Sequence, residues 1–220
     1  MKTMTFKTKL ASLFSLMLIS LITVQAQDAK TLLDEVSTKA KSYDNILINF
    51  DYTLNNAKEQ VKQDTRGNIT LKGEHYFLNM LGVTRISNGK KIYTIVPEDE
   101  EVTISSYNAE ENKGISPSKM LTFYEQGYLY HMEALQHVKG RKIQFIKLIP
   151  KNSNAEIKDI LLGIDMQSKQ VYQLIQTDPS GTSYTITIHS FKTNQVISKN
   201  LFVFDEAKYK SEGYYINKLD

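Results

Sequence analysis

Residues 46–54 read Ile-Leu-Ile-Asn-Phe-Asp-Tyr-Thr-Leu, so Ile46, Ile48, Phe50, Tyr52 and Leu54 alternate with Leu47, Asn49, Asp51 and Thr53. Successive side chains of a strand point to opposite faces, and this alternation predicts a strand with one face buried. Asn55-Asn56 supplies the turn residues after it. The same texture recurs at Val61–Lys72, His75–Leu81, Thr84–Ser87, Lys90–Pro97 and Glu101–Tyr107. It resumes at Tyr128–Val138, Lys142–Pro150, Ile157–Met166, Gln170–Thr177 and Thr182–Phe191. The connections are short: Asn88-Gly89, Lys139-Gly140, Lys151–Asn154, Gln167–Lys169 and Asp178-Pro179-Ser180-Gly181. About ten or eleven short strands joined by tight turns form a large antiparallel meander, which curls into a barrel or sandwich. Leu201–Phe204 is apolar and is expected to pair or pack.

Two segments break the period of two. In Asp28–Tyr43, Leu32, Leu33, Val36, Ala40 and Tyr43 recur at helical spacing while Lys30, Glu35, Lys39 and Lys41 face away, and Asp28 stands as the N-cap. Ser116-Pro117 resembles an N-cap followed by proline at the first helical position, opening a short helix through Met120, Leu121 and Phe123.

Ahead of them lies a segment of another kind. Lys2, Lys7 and Lys9 precede Leu10–Val24, which carries no charge and is shorter than the roughly 20 residues a membrane-spanning helix needs. Val24-Gln25-Ala26 follows, with small or β-branched residues at the −3 and −1 positions of a cleavage site. This is the layout of a secretory signal peptide over residues 1–26, cut after Ala26, leaving residues 27–220 as a single domain. Three of the 27 basic residues and none of the 24 acidic ones fall in this leader, so the remainder is formally neutral. The basic balance belongs to the leader, and nucleic-acid binding loses its electrostatic warrant. The expected location is the periplasm. Gln27 follows the cut and the chain has no cysteine, so lipid attachment to a leading cysteine, disulfides and sulfur-bound zinc are all excluded.

Catalytic patterns are missing. His75, His131, His137 and His189 include no i,i+4 pair, and His131 and His137, six apart on one strand face, would stand roughly 20 Å from each other. No metal site is expected. There is no Gly-x-Ser-x-Gly elbow, Walker loop or dinucleotide fingerprint, and no cofactor is implied. Glu98-Asp99-Glu100-Glu101 lacks the alternating ligand spacing of a calcium loop and follows Pro97, the setting of a solvated hairpin tip. The chain is not expected to be an enzyme. It does carry 13 Tyr, 9 Phe and 7 Met. A half-closed sheet with a lid helix encloses more volume than its side chains fill, which suits a cavity for an apolar ligand.

The order of motifs resembles the periplasmic outer-membrane lipoprotein carrier family (LolA-like). The carrying residues are Phe50-Asp51-Tyr52, Gly67-Asn68-Ile69-Thr70-Leu71-Lys72 and Ile86-Ser87-Asn88-Gly89-Lys90-Lys91-Ile92-Tyr93. Val102-Thr103-Ile104, Ser116-Pro117-Ser118-Lys119-Met120-Leu121 and Phe202-Val203-Phe204-Asp205 extend the match over most of residues 28–205. The resemblance implies a mainly β (α+β) fold, a half-open antiparallel β-barrel with short covering helices. It also implies a carrier of acylated lipoproteins, acting as a monomer between an inner-membrane release transporter and an outer-membrane acceptor. An alternative is a periplasmic lipid-binding or envelope-stress sensing module of the same fold. By position, Leu32, Val36, Phe50, Tyr52, Phe77, Met80, Ile92, Tyr93, Met120, Leu121 and Phe123 are the expected lipid-binding residues. The resemblance breaks at Lys72-Gly73-Glu74, where the family often has Lys-Arg-Pro. The arginine linked there to cargo transfer has no counterpart, and the nearest arginines are Arg66 and Arg85.

Overall fold

The computed structural model describes residues 27–107, 115–152 and 155–219. The leader read over residues 1–26 lies outside the described residues. Helix α1 (27–41) is followed by strands β1 (Ile46–Asn56), β2 (Val61–Lys72), β3 (His75–Met80), β4 (Val83–Asn88), β5 (Lys91–Val96) and β6 (Glu101–Ser106). Then come β7 (Tyr128–Val138), β8 (Arg141–Pro150), β9 (Asp159–Asp165), β10 (Gln170–Thr177), β11 (Ser183–Thr193), α2 (Glu206–Ser211) and β12 (Tyr215–Lys218). These twelve strands form one sheet in the order β12-β6-β5-β4-β3-β2-β1-β11-β10-β9-β8-β7. The fold is the half-open β-barrel, mainly β with short covering helices.

All eleven anticipated strands are present; β1 to β6 and β7 to β11 each pair antiparallel in chain order, and β1 joins the two halves by pairing antiparallel with β11. Turn chemistry sets the registers. Lys139 and Gly140 both adopt positive φ (49° and 79°) in the two-residue loop that pairs Val138 with Arg141. Such a turn matches the right-handed twist of the strands it joins. Asp165 Oδ1 accepts from the backbone N–H groups of Gln167 (2.9 Å) and Ser168 (3.1 Å), shaping the β9–β10 turn.

Three local expectations change. Asp28 lies inside α1, which is already helical at Gln27, so it is not the N-cap. The segment after Ser116 forms two 3-10 turns, Pro117–Lys119 and Phe123–Glu125, instead of one helix. It is too short to repay helix nucleation, and Ser116 makes no capping bond; its hydroxyl lies 3.1 Å from that of Ser118. Leu201–Phe204 packs without pairing, and the chain beyond it adds a twelfth strand. β12 runs parallel to β6, Ile216 opposite Val102, so the sheet is not antiparallel throughout. Asp205 caps α2 by accepting from the Lys208 N–H (3.0 Å).

The sheet buries apolar side chains on both faces. The inner face, under α1, holds Ile46, Ile48, Phe50, Ile69, Leu71, Tyr76 and the interior residues of β8 to β11. On the outer face of β4 to β6, Ile86, Ile95, Val102 and Ile104 form a second cluster beneath Phe204, Tyr209 and Tyr214. Two aromatic rings are seated over glycine, which lets strands carry bulk without splaying. A Cβ on Gly67 would meet Phe50 Cζ at 2.5 Å, and one on Gly163 would meet Phe145 Cε1 at 2.8 Å. Phe50 is 3% exposed and has little room to retreat. Gly67→Val is therefore expected to lower unfolding stability by about 1–3 kcal/mol in urea denaturation, the usual cost of overpacking; an unchanged midpoint would show the ring to be loosely held.

Candidate functional site

Helix α1 lies across the inner face, and its apolar stripe is spent on that contact. Ala29, Leu32, Leu33 and Val36 are all buried among the side chains of β1, β2 and β8 to β11. Burying each Leu or Val is worth about 1.5–3 kcal/mol. The polar attachments of α1 sit at its rim. Lys39 Nζ donates to the Ser168 carbonyl (2.8 Å), Lys169 pairs with Glu35 (3.0 Å), and Lys41 pairs with Glu125 of the second 3-10 turn. These side chains are substantially solvated, and such pairs contribute about 1 kcal/mol or less. The hold on α1 is chiefly hydrophobic, with a weak charged clasp.

At the C-terminal end of α1 the cover stops short of the strands. A groove of about 590 Å³ opens there, within the range of small-ligand sites. Its apolar floor comprises Ala40, Tyr43, Ile46, Leu71, Leu121 and Phe123, and its rim carries Lys41, Lys72, Lys119, Asp44, Glu74 and Glu125. One wall is the β2–β3 turn, Lys72-Gly73-Glu74, and the opposite wall is the 3-10 segment. Those walls are joined: the Tyr107 hydroxyl donates to the Glu74 carboxylate and lies 2.9 Å from Ser118 Oγ. Burial raises the Tyr107 pKa, with the hydrogen bond to Glu74 adding to it. The hydrogen bond from Lys41 holds the Glu125 carboxyl below the usual carboxylate range.

Of the residues expected to bind lipid, Leu121 and Phe123 line this groove, and most of the others lie on the inner sheet face. Leu32, Val36, Phe50 and Leu121 belong to the inner cluster, with Tyr52, Met80, Met120 and Phe123 packed against it. Ile92 is 4% exposed and shares the inner face, standing opposite Ser87, which stands opposite Tyr76. Phe77 and Tyr93 do not join them. Register pairs Phe77 with Ile86 and Ile86 with Tyr93, which puts all three on the outer face, where Tyr93 stacks on Phe204 at 4.6 Å. They serve the attachment of the C-terminal segment.

Sequence reading gave no interior role to three residues with buried polar atoms: Tyr76, Arg85 and Tyr124. Tyr76 and Tyr124 are fully buried, and their hydroxyls have no hydrogen-bond partner. The buried Nε of Arg85 has none either. Burial pushes both phenols up, Tyr124 well beyond its ordinary value. For Tyr76 and Arg85 strand alternation leaves open which face turns inward, and Tyr124 sits in a 3-10 turn that carries no period of its own. Among the described residues, no group of three or more His, Cys, Asp or Glu side chains is placed to hold a metal, and no helix is long and apolar enough to cross a membrane.

Comparison with known proteins agrees with this architecture. A conserved protein from Thermus thermophilus superimposes with a TM-score of 0.57 at 8% identity, over 87% of this chain and 99% of that one, a likeness of fold. A LolA superfamily protein from Nitrosomonas europaea aligns over 80% of this chain and 97% of its own, at 10% identity and a TM-score of 0.44. No curated protein sequence matches the chain. The profile of the family described as outer membrane lipoprotein carrier protein LolA matches residues 38–205, and the chain belongs to that family.

Proposed function

We propose that the protein is a periplasmic carrier that shields the acyl chains of lipoproteins against its inner sheet face and delivers them from the inner to the outer membrane. The observation that carries this reading is α1, an amphipathic helix covering an apolar face with a groove at its open end. Transferring an acyl chain of roughly fifteen carbons out of water gains about 12 kcal/mol, at about 0.8 kcal/mol per methylene. Such a chain needs a shield to cross an aqueous space, and the shield must also let go. The apolar side chains of α1 occupy that face when no cargo does. Lifting α1 costs several kcal/mol of buried Leu and Val area, and an incoming acyl chain restores a similar quantity. Exchange of one apolar cover for another is close to balanced, which is what reversible loading requires.

In this reading the groove over Ile46 and Leu71 is the mouth, and the 3-10 segment with Met120, Leu121 and Phe123 is the movable edge. Methionine repacks at low cost and tolerates acyl chains of different shape. Leu32, Val36, Phe50, Tyr52, Met80 and Ile92 line the path inward. Residues 1–26 act as the export leader, a reading that N-terminal sequencing of the envelope protein tests directly.

Native mass spectrometry of the protein recovered from the periplasm should show acylated polypeptide bound to it. Free lipid in its place would favour a lipid-sensing module of the same fold, and an empty chain under all conditions would end the carrier reading. Leu121→Glu, which sets a charge on the groove floor, should reduce lipoprotein release from inner-membrane vesicles at least tenfold while leaving the far-ultraviolet spectrum intact.

The charged clasp gives a second expectation. Lys41→Ala should speed hydrogen exchange in α1 yet change global stability by no more than about 1 kcal/mol. Because the folded-state pKa of Glu125 is depressed, its pairing is in place above the ordinary carboxylate value and is lost as pH falls through the depressed one. At pH below the depressed Glu125 range the wild type should therefore approach the α1 exchange rates of Lys41→Ala. Identical exchange in both proteins at neutral pH would remove the clasp from the mechanism.

A further inference from the structure

The inner face of β3 and β4 contains two buried donor groups that the protein itself does not use. Register places Tyr76 opposite Ser87 and Leu78 opposite Arg85, so Tyr76 and Arg85 are diagonal neighbours on one face. Tyr76 is 0% exposed, and neither its hydroxyl nor Arg85 Nε has a hydrogen-bond partner. Two acceptors nearby are engaged elsewhere. Ser87 Oγ donates to the Glu74 carbonyl (3.2 Å) and accepts from the Gly89 N–H (3.2 Å), and the Glu74 carboxylate takes the Tyr107 hydroxyl. No carboxylate among the described residues pairs with Arg85. Around the two donors stand Leu71, Leu78 and Ile92, with the hydroxyl side chains of Ser87 opposite Tyr76 and of Thr94 opposite Arg85, so the setting is mainly apolar.

A buried donor without an acceptor keeps its full desolvation penalty, and folded proteins retain few of them without a purpose. Two on one face, within an otherwise apolar cover, match a ligand that is mostly hydrocarbon with acceptor oxygen at one point. We propose that Tyr76 and Arg85 form a receptor for the acyl oxygen of the cargo, an ester carbonyl or a carboxylate at the head of a fatty chain. This rests on the carrier reading and adds a polar anchor to it. The hydrocarbon then runs along the apolar side chains of β1 and β2, and the anchor sets how deep the chain sits.

The test uses the delipidated protein and N-phenyl-1-naphthylamine, a neutral apolar fluorescent probe that has no acyl oxygen. Palmitate and monopalmitoylglycerol compete for it, one presenting a carboxylate and the other an ester. In Tyr76→Phe and Arg85→Met, binding of the probe should stay within twofold of wild type while competition by the palmitoyl ligands weakens about tenfold. Loss confined to palmitate identifies a carboxylate as the bound group, and loss for both ligands identifies the shared carbonyl. Tyr76→Phe should also unfold at the same temperature as wild type or higher, since it deletes a hydroxyl without a partner. Undiminished competition in both variants, or a lower unfolding temperature for Tyr76→Phe, overturns the proposal. Failure of the wild type to bind the apolar probe at all would instead overturn the carrier reading beneath it.

Discussion

The contact of α1 with the inner sheet face is the interaction on which the rest of the structure depends. A curved sheet of twelve strands presents more apolar surface than its own side chains can cover, and a half-open barrel leaves the excess facing water. Leu32, Leu33 and Val36 remove that excess from solvent. Because the contact is hydrophobic it is non-directional. The clasp at the rim, Lys41 with Glu125 and Lys169 with Glu35, sets where the helix lies more than how strongly it is held.

The outer face is handled differently. β4 to β6 carry Ile86, Ile95, Val102 and Ile104 outward, and the C-terminal segment closes over them with stacked rings, Tyr93 on Phe204 and Phe204 on Tyr209. β12 then pairs along β6 and covers an edge that would otherwise offer unpaired backbone groups. This closure uses aromatic geometry and main-chain hydrogen bonds, both directional. One face of the sheet is thus closed by directional contacts and the other by a mainly non-directional apolar cover.

The departure at Lys72-Gly73-Glu74 acquires a structural setting here. Where the family often places an arginine, this chain has a turn glycine. The following glutamate is tied through Tyr107 to Ser118, across the mouth of the groove. The wall is therefore fastened by hydrogen bonds among neighbours, and the interior cation lies elsewhere, at Arg85 on β4.

Alternation of apolar and polar residues was enough to place eleven strands, because a period of two is a local property that backbone geometry imposes on any half-buried strand. The helical spacing of Leu32, Leu33, Val36 and Ala40 likewise marked α1 without reference to the rest of the chain. The side on which each strand is buried was not legible. Phe77 and Tyr93 alternate as convincingly as Met80 and Ile92, and only the pairing of β3 through β5, with the C-terminal segment lying outside them, separates the two sets. β12 was invisible for a related reason: four residues acquire a strand conformation by pairing with β6, more than a hundred positions earlier, and carry little pattern of their own. The orphaned groups of Tyr76 and Arg85 belong to the same class of fact. A residue type says what a side chain could bond, and the fold decides whether anything is there for it to bond with.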